Sequence, residues 1–270
     1  MVPVASGIIT LTTDFGSRDA YVAAMKGVML SITPQARLVD VTHEIAAQDI
    51  MQAAFVLRTA IPWFPMGTVH LAVVDPGVGT DRRAVLALKD GQFFVGPDNG
   101  LFSLLFDSPP DQLFILDRAE AWLTHNPSAT FHGRDVFAPV AARLAAGVSP
   151  DALGSPTDGL SRLHWALPIV DDQGVRGWIV HVDAFGNCVT NIPRPLFEQA
   201  RRGRRFKCYV GTTILNALSR TYAEVAAGEP VLLVNSSDLL EMAVFRGDAS
   251  EFFDIRTGTA VNMVFIDDRA

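Results

Sequence analysis

The first seventy-five residues switch repeatedly between two hydrophobic periods, and no other feature of the chain restricts its fold as strongly. Residues 8–12 are a short apolar and β-branched run that suits one strand. Ala20, Tyr21, Ala24, Met25, Val28, Met29 and Ile32 then recur at helical spacing, with Asp19 placed to cap the helix and Thr33-Pro34 to stop it. Residues 37–41 read as a second strand, delivering Asp40 and then Thr42-His43-Glu44. Asp49 opens a second helix through Ala53, Phe55, Val56 and Leu57 towards Pro62, and residues 69–74 form a third strand that ends on Asp75. Strand, helix, strand, helix, strand predicts parallel strands joined by crossover helices.

Beyond Asp75 a Pro-Gly-x-Gly loop can continue neither strand nor helix, and Arg82 and Arg83 follow it. An acid at a strand end, before a loop whose backbone can approach a ligand, lies where open α/β sheets bind their ligands. Residues 84–88 and 92–96 predict a hairpin turning on Asp90-Gly91. The turn formers Gly96-Pro97-Asp98-Asn99-Gly100 lead into one short helix over 101–105, and 113–116 suits a further strand. Thr130-Phe131-His132-Gly133-Arg134-Asp135 opens a helix over 136–146, where Pro139 is tolerable because it falls near the first turn.

From 147 to 174 the composition shifts to Pro, Gly, Ser and Asp. Later segments are short and strand-like, at 177–182, 189–192, 205–210, 230–234, 242–245 and 260–265. The expected architecture is α/β: an N-terminal parallel or mixed sheet with flanking helices over 1–150, a linker over 151–174, and a smaller C-terminal β-barrel domain over 175–270.

Bulk properties narrow the partners. A chain of 270 residues, 49% hydrophobic, can bury a sizeable core. A formal charge of -7 and a pI near 5.3 argue against nucleic acid as a partner. No apolar run reaches membrane-spanning length, and residues 1–7 lack the pattern of a signal peptide. Cys188 and Cys208, far apart and outside any C-x-x-C, fit a reducing, cytoplasmic setting.

Taken singly, the polar clusters are ordinary. Asp14 can bind a ligand or merely cap a helix, and His43 beside Glu44 reads as a loop histidine. Asp183-Ala184-Phe185-Gly186-Asn187 and Asn235-Ser236-Ser237-Asp238 have turn chemistry. The loop after Asp75 fails the dinucleotide fingerprint, because Arg82 stands where its last glycine belongs. The chain has neither a phosphate-binding G-K-S/T loop nor a G-x-S-x-G elbow. Asp14, Asp40, His43, Asp75, His132 and Asp135 lack the close spacing of H-E-x-x-H, so no metal site is assigned.

Six blocks taken in order say more. Leu11-Thr12-Thr13-Asp14-Phe15-Gly16, Val73-Val74-Asp75-Pro76-Gly77-Val78-Gly79-Thr80 and Val95-Gly96-Pro97-Asp98-Asn99-Gly100 come first. Phe131-His132-Gly133-Arg134-Asp135, Asp183-Ala184-Phe185-Gly186-Asn187 and Asn235-Ser236-Ser237 follow. Together they span nearly the whole chain, which in this respect resembles the S-adenosylmethionine hydrolase (hydroxide adenosyltransferase) family, relatives of the fluorinase and chlorinase. The resemblance implies an α/β domain followed by a β-barrel, and a homotrimer with sites at subunit interfaces. It implies hydrolysis of the small molecule S-adenosylmethionine to adenosine and methionine, with no metal and no cofactor. The family's catalytic Asp-Arg-His set falls on Asp75, Arg82 and His132, with Arg83 the adjacent alternative for the guanidinium. Asp14 falls on the ribose-binding position, Asp183 and Ser236 near the methionine end, and Asn187 on an adenine contact. Arg246 falls on a backbone contact to adenine, and Glu241 suits the substrate's ammonium group.

Two departures favour a hydrolase over a halogenase. The halogenating relatives carry an apolar or aromatic group in place of Asp75 and a longer loop after the hairpin. A buried carboxylate repels a halide and can hold a water. Asp75 and His132 can accept hydrogen bonds from that water and align it with C5′ and sulfur, while Arg82 steadies Asp75. The other readings are a 5′-halogenating or other adenosyltransferase, and a non-catalytic protein that binds adenosine or S-adenosylmethionine.

Overall fold

The computed structural model describes residues 3–266, in two compact units that divide between His164 and Trp165. Residues 1–2 and 267–270, which the sequence reading includes in its two domains, lie outside the described residues.

The first unit runs β1 (Ile8–Thr13), α1 (Tyr21–Ile32), β2 (Arg37–Thr42), α2 (Ile50–Ala60), β3 (Val69–Val73), β4 (Ala84–Lys89) and β5 (Gln92–Pro97). It continues through α3 (Leu101–Leu105), β6 (Gln112–Ile115), α4 (Ala138–Ala145) and β7 (Ser155–Pro156). Its sheet has the order β2-β1-β3-β5-β4-β6-β7. The pairs β2/β1, β1/β3 and β3/β5 are parallel and the rest antiparallel, so the sheet is mixed. β1 and β3 neighbour each other although the chain leaves β1 on one side and β3 on the other. That makes the gap beyond their carboxyl ends a topological switch point, where such sheets bind ligands.

Alternation sorts the side chains between two layers. Ile9, Leu11, Val69, Leu71 and Val73 pack with Met25 and Met29 of α1 and with the buried face of α4. Asp49 caps α2 as expected, its Oδ1 accepting from the Gln52 N–H at 2.8 Å. Asp19 does not cap α1: the N-cap is Ala20, and no side chain bonds there. The predicted hairpin forms, with Asp90 (φ 48°) and Gly91 (φ 74°) in the left-handed region that a two-residue turn requires. A π-helical turn, Gly133–Phe137, leads into α4 and leaves Pro139 in that helix's first turn.

In the second unit the strands are β8 (Ile169–Val170), β9 (Gly174–Val182), β10 (Cys188–Pro193), β11 (Arg205–Val210), β12 (Thr213–Leu215), β13 (Pro230–Val234), β14 (Leu239–Val244) and β15 (Ala260–Ile266). They form an antiparallel sheet in the order β12-β11-β15-β9-β10-β14-β13, with β8 beside β9, and β12 lies against β13 to bring the ends together as a nearly closed barrel. Leu240, Met242 and Val244 point into its core, whereas Glu241 and Ala243 point outward. Two helices absent from the sequence reading, α5 (Arg194–Arg201) and α6 (Ala249–Phe253), pack on it through Phe197 and Phe253. The stretch 151–174, read as a linker, contributes β7 to the first sheet and β8 to the second. Among the described residues no helix is long and apolar enough to cross a membrane.

Candidate active site

The register Thr13↔Val73 makes β1 and β3 end together, so Asp14 and Asp75 leave neighbouring strands at the same end of the sheet. The loop after Asp75 folds back on itself through hydrogen bonds from Val78 N–H to Asp75 O and from Thr80 N–H to Gly77 O. Gly79 has φ +76°, and a Cβ there would strike the carbonyl of Ala129. Only glycine lets the loop approach the 128–132 segment so closely.

That approach brings Arg82 to His132. Arg82 Nε donates to both Asp75 oxygens at 2.9 and 3.0 Å, and its Nη2 donates to Oδ2 at 2.5 Å. The same Nη2 lies 2.8 Å from His132 Nδ1. The Asp75 side chain is 5% exposed and that of Arg82 10%, and the guanidinium rests over the Phe137 ring, 5.2 Å from its centroid. Burial, and then the neighbouring Arg82, push the His132 pKa below its ordinary value, against the opposing pull of Asp75 and Asp135. A guanidinium has only donors, so Nδ1 must accept, and the neutral ring carries its proton on Nε2. His132 therefore presents an N–H. The acceptor nitrogen expected to face a ligand, Nδ1, is instead taken up by Arg82.

Arg83, the adjacent alternative, turns away. Its Nε donates to Asp98 Oδ2 at 2.8 Å and its Nη2 to Asp98 and to the carbonyl of Gly159. Asn99 donates from Nδ2 to the Val74 carbonyl at 2.8 Å, bracing the chain next to Asp75. The Pro97-Asp98-Asn99 block thus supports the first loop, a role the motif itself does not announce. Asp14 accepts from the Gln48 N–H at 2.8 Å through Oδ2, and it caps no helix.

In the second unit, Asp183 closes the turn between β9 and β10. Its Oδ1 accepts from the N–H groups of Phe185 and Asn187, and its Oδ2 accepts from Asn187 Nδ2, all at 2.9 Å. Glu241 is 4% exposed on the outer face of the barrel, opposite Val189 of β10. It accepts from the Tyr222 hydroxyl at 2.7 Å and from Asn235 Nδ2 at 3.1 Å. Burial first, then Glu241, push the Tyr222 phenol well above its usual range. Ser236 and Arg246 are exposed, in the turns at opposite ends of β14, so the fold does not gather these two together. Sequence reasoning missed Tyr222 and placed Asn235 only in a turn block, because only tertiary contact joins the two to Glu241.

The chain matches the models of the SAM hydroxide adenosyltransferase N-terminal domain over residues 9–154 and of its C-terminal domain over 177–262. It is 43% identical to an (R)-S-adenosyl-L-methionine hydrolase of Thermus thermophilus, over 93% of this chain and 97% of that one. To a fluorinase of an Actinoplanes species it is 28% identical, over 95% and 97%. A crystal structure of an uncharacterized conserved protein from Thermotoga maritima superimposes with a TM-score of 0.90 at 35% identity, covering 95% of this chain and 99% of that one. With family models matching residues 9–154 and 177–262 and a 43% identical relative covered almost end to end, this chain belongs to the SAM hydroxide adenosyltransferase family.

Proposed function

We propose that the protein hydrolyses S-adenosyl-L-methionine to adenosine and methionine, through attack of an oriented water on C5′. The observation that carries this reading is the buried Asp75 carboxylate, locked by Arg82 beside His132 at the switch point of the sheet. Water oxygen bonds to C5′ as the C5′–S bond breaks. The bonding pair passes to sulfur, which leaves as the neutral thioether of methionine, and the water's proton goes to Asp75 and then to solvent. A sulfonium needs no acid or metal to depart, so the reading requires neither metal nor cofactor.

The difficulty lies with the nucleophile. Asp75 accepts one of the water's protons and the His132 N–H supplies a donor, so that acceptor and donor together fix how the molecule points. Arg82 keeps the carboxylate immobile and stabilises the hydroxide character that develops in attack. Asp14 suits a ribose, since one carboxylate can accept from two vicinal hydroxyls. Asp183, Ser236 and Glu241 then serve the methionine end, and Asn187 and the backbone of Arg246 the adenine. The reading includes a homotrimer with sites at subunit interfaces and a cytoplasmic setting.

The test is incubation with S-adenosylmethionine in ¹⁸O-labelled water, with and without excess chloride. Labelled adenosine as the product, with no 5′-chloroadenosine, is the expected result. Unlabelled or halogenated nucleoside would support another adenosyltransferase, and tight binding with no product would support a ligand-binding protein.

A further inference from the structure

His43 takes no part in the chemistry above, yet two of its polar atoms and a neighbouring ion pair converge on the Asp14 turn. Its Nδ1 lies 2.9 Å from Thr13 Oγ1, and that hydroxyl accepts from the Phe15 N–H at 3.3 Å. The His43 carbonyl accepts from the Gly16 N–H at 2.7 Å. Asp14 is therefore flanked on both sides by chain that His43 holds, once through its side chain and once through its backbone.

The ring is itself held. Nε2 lies 3.0 Å from Asp40 Oδ1, in ion-pair range though not aligned as a good hydrogen bond. Lys26 of α1 donates to Asp40 Oδ2 at 2.6 Å. The nearby Asp40 charge favours the tautomer with its proton on Nε2, and in that tautomer Nδ1 accepts from the Thr13 hydroxyl. The ring thus lies between the Thr13 hydroxyl on one side and the Asp40–Lys26 ion pair on the other. Three elements, α1, β1 and β2, are tied to one turn. Gln48, whose N–H meets Asp14 Oδ2, has φ 68°, an uncommon backbone for glutamine that fixes the other side of the carboxylate.

We infer that His43, through Thr13 and the backbone of residue 16, is a positioning residue that sets the Asp14 carboxylate for the vicinal hydroxyls of the bound nucleoside. The inference rests on the reading that Asp14 binds ribose. A residue that merely supported the fold would affect all ligands alike, whereas one that aims Asp14 matters only for ligands with hydroxyls to meet.

The experiment measures the affinity of adenosine and of 2′,3′-dideoxyadenosine by calorimetry, for the full chain and for Asp14→Ala, His43→Ala and Thr13→Val. Asp14→Ala should abolish the preference for adenosine. His43→Ala should weaken adenosine about tenfold, the scale of a hydrogen bond left poorly made, and leave the dideoxy nucleoside unchanged. Thr13→Val, which removes the hydroxyl and keeps the shape, should do the same if His43→Ala does not fold. If Asp14→Ala erases the preference but the His43 and Thr13 variants keep it, the inference is wrong and the ribose reading stands. Equal losses for both nucleosides would likewise overturn it. A preference that survives Asp14→Ala overturns the ribose reading, and this inference with it.

Discussion

Asp75 of the first unit and Asp183 and Glu241 of the second, all candidate-site carboxylates, are held in opposite ways. At the mouth of the mixed sheet Asp75 is met by the guanidinium of Arg82, Asp98 by that of Arg83, and Asp40 by the ammonium of Lys26. On the barrel, Asp183 and Glu241 are held by neutral donors: main-chain N–H groups, the amides of Asn187 and Asn235, and the Tyr222 phenol. A carboxylate closed by a guanidinium is immobile and locally neutralised, which suits the alignment of an uncharged water. One closed by neutral donors keeps its charge for a cationic guest. On the proposed reading the first unit therefore handles the nucleophile and the second the positive substrate.

The sharpest test of that contrast is Asp75→Asn, which keeps the shape and removes the charge. Turnover, read well below the variant's melting temperature, should fall by about 10³-fold, the scale of losing a preorganised catalytic group, and the melting temperature should fall too, because the buried guanidinium of Arg82 loses its anion. Full activity would end the contrast at its source.

Acid separates the units next. Burial pushes His70, which lies among Phe64 and Phe94, down to about 4. The unfolded ring takes its proton near its ordinary value of 6.5. The unfolded state thus binds more protons between these values, so stability is complete above pH 6.5 and declines as pH falls towards 4, by about 3 kcal/mol. His70→Gln should flatten that slope in denaturant titrations at pH 7 and pH 4.5. An unaltered slope would assign the acid weakness elsewhere. The barrel has the reverse liability, because burial raises Cys188 and Cys208 to about 12, and their unfolded thiols ionise first as pH rises through the ordinary thiol value of 9.

Between the two arginines, Arg82→Lys gives up the paired contact to Asp75 and should lower turnover about 10²-fold, since an ammonium cannot reproduce the guanidinium fork. Arg83→Lys should lower the melting temperature and spare turnover. Equal losses in both variants would erase the distinction between the two ion pairs. The smallest effect is reserved for the barrel: Glu241→Gln should raise the KM for S-adenosylmethionine about tenfold with kcat little changed. An unmoved KM would show that the neutral-donor carboxylate does not serve the cation.

Much of this was legible along the chain. The alternating periods of residues 8–75 and the Asp90-Gly91 turn are local signals, and local geometry answers to them directly. α5 was not legible, since its eight residues bury only Phe197 fully and sit between two strands. α6, five residues long, is shorter still. Asp19 shows the limit of a capping rule, because the helix begins one residue too late for its side chain to help. His43 looked like any loop histidine because its partners, Thr13 and Asp40, come from two different strands.

By itself the sequence determined where strands and helices alternate, which acids stand at strand ends, and which family pattern the polar blocks follow. Only the tertiary structure decided that Arg82 rather than Arg83 meets Asp75, that His132 presents a donor, and that His43 holds the Asp14 turn. The reason is physical: periodicity is a property of neighbours along the chain, whereas the direction of a hydrogen bond depends on which distant atom lies within about 3 Å, and in which orientation.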